Sequence, residues 1–214
     1  MALAESGSEV LAVEVDRRLV PALEEATEGL PVRVEVADAV RVDWARLLGE
    51  GPWRMASNLP YNVAVPALMG LLERAPNVDP LVVMVQREVG ERLAAGPGDP
   101  AYGAVSLRVG YRAEVRRLRH VGPSVFWPEP NVESVVLRLD RRPPPVEVPV
   151  ERLFRLIDEG FRQRRKTLAS ALVRLGYPRA QATAAPGRMG LDPKVRAEAL
   201  SLEEFARLAD ALDE

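Results

Sequence analysis

The feature that most constrains this chain is a change of rhythm at Pro143-Pro-Pro145. Before it, short apolar runs alternate with amphipathic stretches; after it, only helical spacing remains. Residues 10–15 form an apolar run that reads as a buried strand. Asp16 is placed to cap a helix running to about residue 28, which Gly29 stops. Residues 31–36 alternate and predict a second strand. Residues 54–58 predict a third, ending at Leu59-Pro60. Helical periodicity over residues 63–74 tolerates Pro66 in its first turn. Residues 81–85 read as a fourth strand, followed by a helix to about residue 95 and a loop over 96–100. Residues 104–111, 115–121 and 133–139 read as strands without long helices between them, so they pair antiparallel. Strand–helix repetition followed by hairpin strands predicts an α/β fold, mostly parallel with an antiparallel edge. The proline run is a stiff linker. Beyond it, residues 150–161, 165–175 and 202–212 read as helices, with a shorter one around 195–200, punctuated by Gly176, Gly187 and Gly190. A boundary near residue 145 divides an α/β part, 1–145, from a small all-helical domain, 146–214.

Composition narrows the chemistry. At 47% apolar and 28% charged, the 214 residues have the balance of a globular protein, not a disordered one. No cysteine is present, which excludes disulfides, thiolate catalysis and Cys-ligated zinc. His120 is the only histidine, so a multi-His metal centre within one chain is excluded, and a structural role is expected for it. No apolar run approaches the roughly 20 residues of a membrane span. The first ten residues carry Glu5 and Glu9 and no basic side chain, unlike a secretory signal. A cytoplasmic protein is the expectation. The net charge of −2 conceals an asymmetry: residues 1–107 carry a net −7 and residues 108–174 a net +7. Of the 29 basic residues 27 are arginine, whose planar fork suits phosphate and stacks on bases. An anionic partner for the middle of the chain follows as one reading, a solvated arginine-rich surface as the other.

Four stretches could carry chemistry. Asn58-Leu-Pro-Tyr61 stands where a strand ends, the position at which open α/β sheets bind ligands. Pro60 holds Leu59 extended and so fixes its carbonyl. With the Asn58 side-chain carbonyl beside it, two acceptors can hold one NH2 group, and Tyr61 can offer a flat face; the other reading is an ordinary strand exit with a buried tyrosine. Glu14 and Asp38 end or follow neighbouring strands, where carboxylates can accept from a ribose and an adenine amine or merely start turns. In Phe126-Trp-Pro-Glu-Pro-Asn-Val-Glu-Ser134 two prolines bracket Glu129 and predict a rigid aromatic loop able to stack on an extruded base. A place in the core is the competing reading, favoured more for Trp127 than for Phe126. Arg162-Gln-Arg-Arg-Lys-Thr167 is a basic cluster between helices, suited to phosphate or to a helix dipole.

In this order and spacing the stretches resemble one family. With Val13-Glu-Val-Asp16, Ala37-Asp-Ala39, Gln86-Arg-Glu-Val89, Ala101-Tyr-Gly103 and Gly190-Leu-Asp-Pro193 added, the whole chain resembles the ribosomal RNA adenine N6,N6-dimethyltransferases that modify two adjacent adenosines near the 3′ end of 16S rRNA. The macrolide-resistance methyltransferases acting on 23S rRNA share the aromatic loop but typically lack the Gln-Arg-Arg-Lys-Thr and Leu-Asp-Pro segments, and rank second. The resemblance implies a class I, Rossmann-like S-adenosylmethionine-dependent methyltransferase sheet with a C-terminal helical domain holding rRNA. It implies that Glu14 accepts from the cofactor ribose and Asp38 binds the cofactor adenine amine. Asn58, which also borders the cofactor, and the Leu59 carbonyl, set by Pro60, hold the target N6. Tyr61 and Phe126 stack on the target base, and Arg164, Arg165 and Lys166 meet rRNA phosphate. It implies the small ribosomal subunit as partner, a monomer, no metal and no membrane.

The chain departs from the family at its start. The family opens with a strand and a glycine-rich loop approaching the cofactor; here only Gly7 precedes the first strand, and Met1-Ala-Leu-Ala resembles the end of the following helix. The expectation is an N-terminally truncated form, lacking a central strand, with two unpaired inner strand edges and weak cofactor binding. A non-catalytic rRNA-binding assembly factor is the alternative that this departure raises.

Overall fold

The computed structural model describes residues 2–60 and 62–212. The chain divides into two compact units, Met1–Pro52 with Asn62–Asn77 and Trp53–Tyr61 with Val78–Glu214.

In the first unit, α1 (Ala2–Glu5) leads into β1 (Val10–Glu14), and α2 (Val20–Ala26) crosses over to β2 (Val32–Val36). The two strands are parallel, in register from Val10 opposite Val32 to Glu14 opposite Val36. Asp16 does not cap the helix as expected. Its carboxylate is taken by the Arg18 backbone and guanidinium, and α2 starts only at Val20. A short α3 (Trp44–Leu48), which periodicity did not predict, is capped by Asp43 accepting from the Arg46 amide at 3.1 Å. It is followed, after an excursion into the other unit, by α4 (Ala64–Arg74), starting with Pro66 in the first turn as the pattern requires. Asn77 Nδ2 donates to the Gly49 and Gly51 carbonyls at 3.0 and 2.9 Å, and Arg74 donates to the Val40 carbonyl, tying 62–77 back to the loop at 40–51.

In the second unit β3 (Trp53–Asn58), β4 (Val78–Gln86), β5 (Ala113–Val121) and β6 (Ser134–Arg141) form one sheet in the order β3-β4-β6-β5. The β3–β4 pair is parallel; β6 runs antiparallel to both β4 and β5. Among the described residues β1 pairs only with β2, and β3 only with β4. One face of this sheet buries Leu81, Val83, Val85, Val135, Leu137 and Leu139. Against the sheet lie α5 (Arg87–Ala94) and α6 (Ala104–Gly110).

The segment of α6 was expected to be a strand. Its valines favour one, but Ala104, Leu107 and Tyr111 recur at helical spacing and pack on a core that periodicity alone does not reveal. Ser106 secures the start, accepting from the Gly103 amide at 3.1 Å and donating to the Arg92 carbonyl at 2.5 Å.

That core belongs mainly to α7 (Val150–Arg162), α8 (Leu168–Arg174), α9 (Arg179–Arg188) and α10 (Leu202–Ala211). On α7, Leu153, Phe154, Leu156, Ile157 and Gly160 are buried along one stripe. Gly160 has no room to spare: a Cβ there would lie 2.9 Å from that of Ala197. Gly176, with φ +97°, ends α8 in a Schellman turn, its amide donating to Val173 and that of Tyr177 to Leu172. Ser201 and Glu204 form a reciprocal cap at the start of α10. The missed helix α9 is alanine-rich and contains Pro186 and Gly187, which blur its period. Tyr102 Oη donates to the Leu200 carbonyl at 2.9 Å, and burial pushes its phenol pKa up. Tyr102 stacks edge-on to Phe161 at 5.8 Å, and Tyr111 to Phe154 at 5.3 Å.

Candidate nucleotide site at the carboxyl ends of the strands

Asn58 is the last residue of β3. It is exposed, and its side chain makes no hydrogen bond among the described residues. The Leu59 amide donates to the Met84 carbonyl at 3.1 Å, so the ladder continues one residue past the strand, and its side chain is buried. No backbone amide among the described residues donates to the Leu59 carbonyl. Pro60 cannot extend the ladder, lacking an N–H. Two acceptors, the Asn58 side-chain carbonyl and the Leu59 carbonyl, therefore belong to consecutive residues at a strand end, with the Leu59 side chain buried. Tyr61 lies outside the described residues.

Register places the aromatic loop at the same end of the sheet. Asn58 lies opposite Met84, Met84 opposite Val136, and Val136 opposite Arg119, one row across four strands. Gln86 and Val121 both lie opposite Ser134, so the 122–133 connection emerges just beyond that row. From β3 to β6 is two strand spacings, roughly 10 Å. The connection begins with one 3-10 turn, Pro123–Val125, closed by the Phe126 amide on the Pro123 carbonyl. It is pinned at its far end, where the Arg87 amide donates to the Glu133 carbonyl and the Arg87 guanidinium pairs with the Glu133 carboxylate at 2.5 Å. Phe126 is extended, with φ −111° and ψ 152°. Phe126 is half-buried, whereas Trp127 is 97% exposed. The reading of Trp127 as a core residue is thereby overturned: Pro128 and Pro130 hold the loop open, and nothing covers the indole. His120, expected to be structural, is also exposed, on the edge strand β5.

The carboxylates of the first unit form their own group. Glu14 closes β1, and Asp38 follows β2 by two residues; the Ala37 amide donates to the Glu14 carbonyl at 3.0 Å, which holds the two strand ends together. One Glu14 oxygen accepts from the Asp16 amide at 2.8 Å, and the other accepts nothing among the described residues. Asp38 Oδ1 accepts from the Val40 amide at 2.8 Å, and its other oxygen lies 3.7 Å from Arg41. Each carboxylate is thus oriented by backbone while keeping an oxygen outward. This donor-hungry pair at adjacent parallel strand ends fits the hydroxyls and exocyclic amine of a nucleoside.

The basic cluster lies in the turn between α7 and α8. Its three cations differ. Arg164 is committed, pairing with Glu198 at 3.3 Å and donating to the Pro100 carbonyl at 3.1 Å. Arg165 and Lys166 are exposed, and their side chains have no partner among the described residues. No His, Cys, Asp or Glu cluster among the described residues could hold a metal ion, and no described helix is long and apolar enough to cross a membrane.

The family described as ribosomal RNA adenine dimethylase matches residues 1–214. The ribosomal RNA small subunit methyltransferase A of Thermobifida fusca is 45% identical over 208 residues, covering 94% of this chain and 72% of the relative. That of Acidothermus cellulolyticus is 46% identical, covering 94% and 71%. Among solved structures, a dimethyladenosine transferase from Plasmodium falciparum superposes with a TM-score of 0.75 at 21% identity, over 94% of this chain and 80% of that one. The 23S rRNA methyltransferase ErmE gives 0.69 at 24%, over 96% and 82%. These two likenesses bear on the fold, an α/β methyltransferase sheet with appended helices.

Proposed function

Because the chain belongs to the ribosomal RNA adenine dimethylase family, a family of methyltransferase enzymes, we propose that it transfers methyl groups from S-adenosylmethionine to N6 of two adjacent adenosines near the 3′ end of 16S rRNA. It acts as a monomer, in the cytoplasm, on the small ribosomal subunit. The observation that carries this reading is the pair of uncommitted acceptors at the end of β3, the Asn58 amide oxygen and the Leu59 carbonyl. The relatives' name favours the small subunit over a 23S acceptor, and favours an enzyme over a passive assembly factor.

An adenine N6 lone pair is delocalised into the ring and is a poor nucleophile. The Asn58 side-chain oxygen and the Leu59 carbonyl each accept a hydrogen bond from one N6–H, which favours a pyramidal nitrogen with its lone pair directed out of the ring plane. Tyr61 and Phe126 clamp the base between them. Glu14 would hold the ribose of S-adenosylmethionine and Asp38 its adenine amine, and the bound cofactor would supply an electrophilic methyl group. Positioning contributes much of the rate, as in other reactions between two oriented partners. The protein needs no strong base, since alkylation makes the amine acidic enough to yield its proton to water. Arg165 and Lys166 meet rRNA phosphate, with Arg164 bracing their turn. The functional division falls at Pro143-Pro-Pro145, methyl transfer before it and RNA holding after it.

The test is methyl incorporation from labelled S-adenosylmethionine into small-subunit particles that lack the modification. The expected result is labelling at adenine N6, with Asn58→Ala lowering kcat about 10²–10³-fold at an unchanged circular dichroism spectrum. Salt-sensitive binding without incorporation, or labelling of 23S rRNA instead, would overturn the reading.

A further inference from the structure

We propose that Arg87, by pairing with Glu133, is the positioning residue that holds the aromatic loop at 122–133, and with it Phe126, at the strand end carrying Asn58 and Leu59. The proposal rests on the reading of the chain as an RNA adenine methyltransferase, in which Phe126 stacks on the acceptor base.

Three observations carry it. First, the loop has little hold on the protein. No residue from Gly122 to Glu133 is buried. Its own hydrogen bonds, from the Val125 amide to the Gly122 carbonyl and from the Phe126 amide to the Pro123 carbonyl, stay within the loop. Among the described residues, the hydrogen bonds and ion pairs that join it to another element all come from Arg87. The Arg87 amide donates to the Glu133 carbonyl at 2.9 Å, and its guanidinium donates to the Glu133 carboxylate at 2.5 Å. Pro128 and Pro130, each with its φ fixed, stiffen the run between Phe126 and Glu133, so a hold on Glu133 is felt at Phe126. Second, Arg87 is itself fixed. It is the first residue of α5 and follows Gln86, the last of β4, which lies opposite Ser134. One turn further on, α5 lies flush against β6: a Cβ on Gly90 would come 2.2 Å from Val135 Cγ1. Glu91 steadies the guanidinium from the helix side, its carboxylate 3.4 Å from the Arg87 Nε. Third, the same strand holds the acceptors. Met84, three residues before Arg87, lies opposite Asn58, and its carbonyl accepts from the Leu59 amide at 3.1 Å. The end of β4 therefore carries both halves of the base site, the acceptors on the β3 side through Met84 and the aromatic loop on the β6 side through Arg87. Both Arg87 and Glu133 reach solvent, so their pairing adds little to global stability; its effect falls on how often the loop is in place.

The experiment uses the full chain and small-subunit particles lacking the modification. Arg87→Gln, Glu133→Gln, the two changes combined, and Arg87→Lys are compared by amide hydrogen exchange and by steady-state kinetics. The expected result is faster exchange over 122–133 in both glutamine variants, with α7 to α10 unchanged. KM for the particles rises about fivefold at a kcat within about twofold, because a loop less often in place lowers affinity without altering the bound complex. The combined change raises KM no further than either single one, since both remove the same pair. Arg87→Lys keeps the charge and stays within about twofold of the unaltered protein. Glu133→Gln separates holding the loop from touching RNA: if Arg87 met phosphate itself, removing the neighbouring acid would lower KM. A lowered or unchanged KM in Glu133→Gln, unchanged exchange over 122–133, single effects that multiply in the combined change, or a fall in kcat alone overturns the proposal. Methyl transfer by the unaltered protein is scored separately. If it is absent the enzymatic reading fails, and the same comparison, made on the dissociation constant of the particles, still decides the role of Arg87. Transfer by the unaltered protein that the variants leave untouched keeps the enzyme and removes the positioning role.

Discussion

Arginine and aromatic side chains meet opposite fates in two regions of this molecule. In the helical core, Arg108 and Arg112 lie over the Phe154 ring at 4.6 and 4.8 Å, and Arg108 also pairs with Asp158 at 2.5 Å. At the carboxyl end of the sheet, Trp127 is bare, and Arg117 and Arg119 lack partners among the described residues. The same two residue types are engaged within the protein in one place and exposed in the other. What separates them is the acid nearby and the helix that covers the ring. Asp158 is there for Arg108; the prolines on either side of Glu129 keep any cover away from Trp127.

The contrast can be broken most severely at Phe205, which is fully buried and lies 6.3 Å from Phe161 in the helical core. Phe205→Ala is expected to cost about 3–5 kcal/mol, read as a lower urea midpoint, whereas Trp127→Ala should move that midpoint by less than about 0.5 kcal/mol. Equal losses would erase the distinction. A smaller effect is expected at Arg108. Arg108→Ala removes a partly buried cation from above a ring and should cost about 1–2 kcal/mol, while Arg117→Ala should leave stability unchanged in the same titration. The smallest is at Asp140, whose carboxyl the Arg138 and Arg116 guanidinium groups hold down to about 2. A folded-state value below that of the unfolded chain means that the pairing supports the fold above the unfolded value, near 4, and is lost as pH falls through the folded one. Carboxyl NMR should therefore show Asp140 titrating near pH 2, and an ordinary value would mean that Arg116 is as uncommitted as its neighbours.

The strands were readable because β4 and β6 bury alternate residues and β1 to β3 keep an apolar run or an alternation of apolar and polar side chains. The α6 segment was not, because Val105, Val109 and the spacing 104-107-111 support two periods, and the choice between them is made by helices more than forty residues downstream. Asn58 and Leu59 were readable as a strand exit with a proline after it. The commitment of Arg164 was not, since its partners Glu198 and Pro100 lie 34 and 64 residues away. Nor was the exposure of Trp127, because a tryptophan next to a phenylalanine carries no local mark of which ring turns inward.

The Tyr102–Leu200 hydrogen bond spans 98 residues, and beside it the Gly98 amide donates to the Glu198 carbonyl. A chain emerging from its exit tunnel starts with its N-terminal part, so every strand described here is made before the partner of Tyr102 exists. Until the stretch near residue 200 is synthesised, the Tyr102 hydroxyl and the Gly98 amide lack their acceptors, and the nascent protein carries a seam that only this stretch can close.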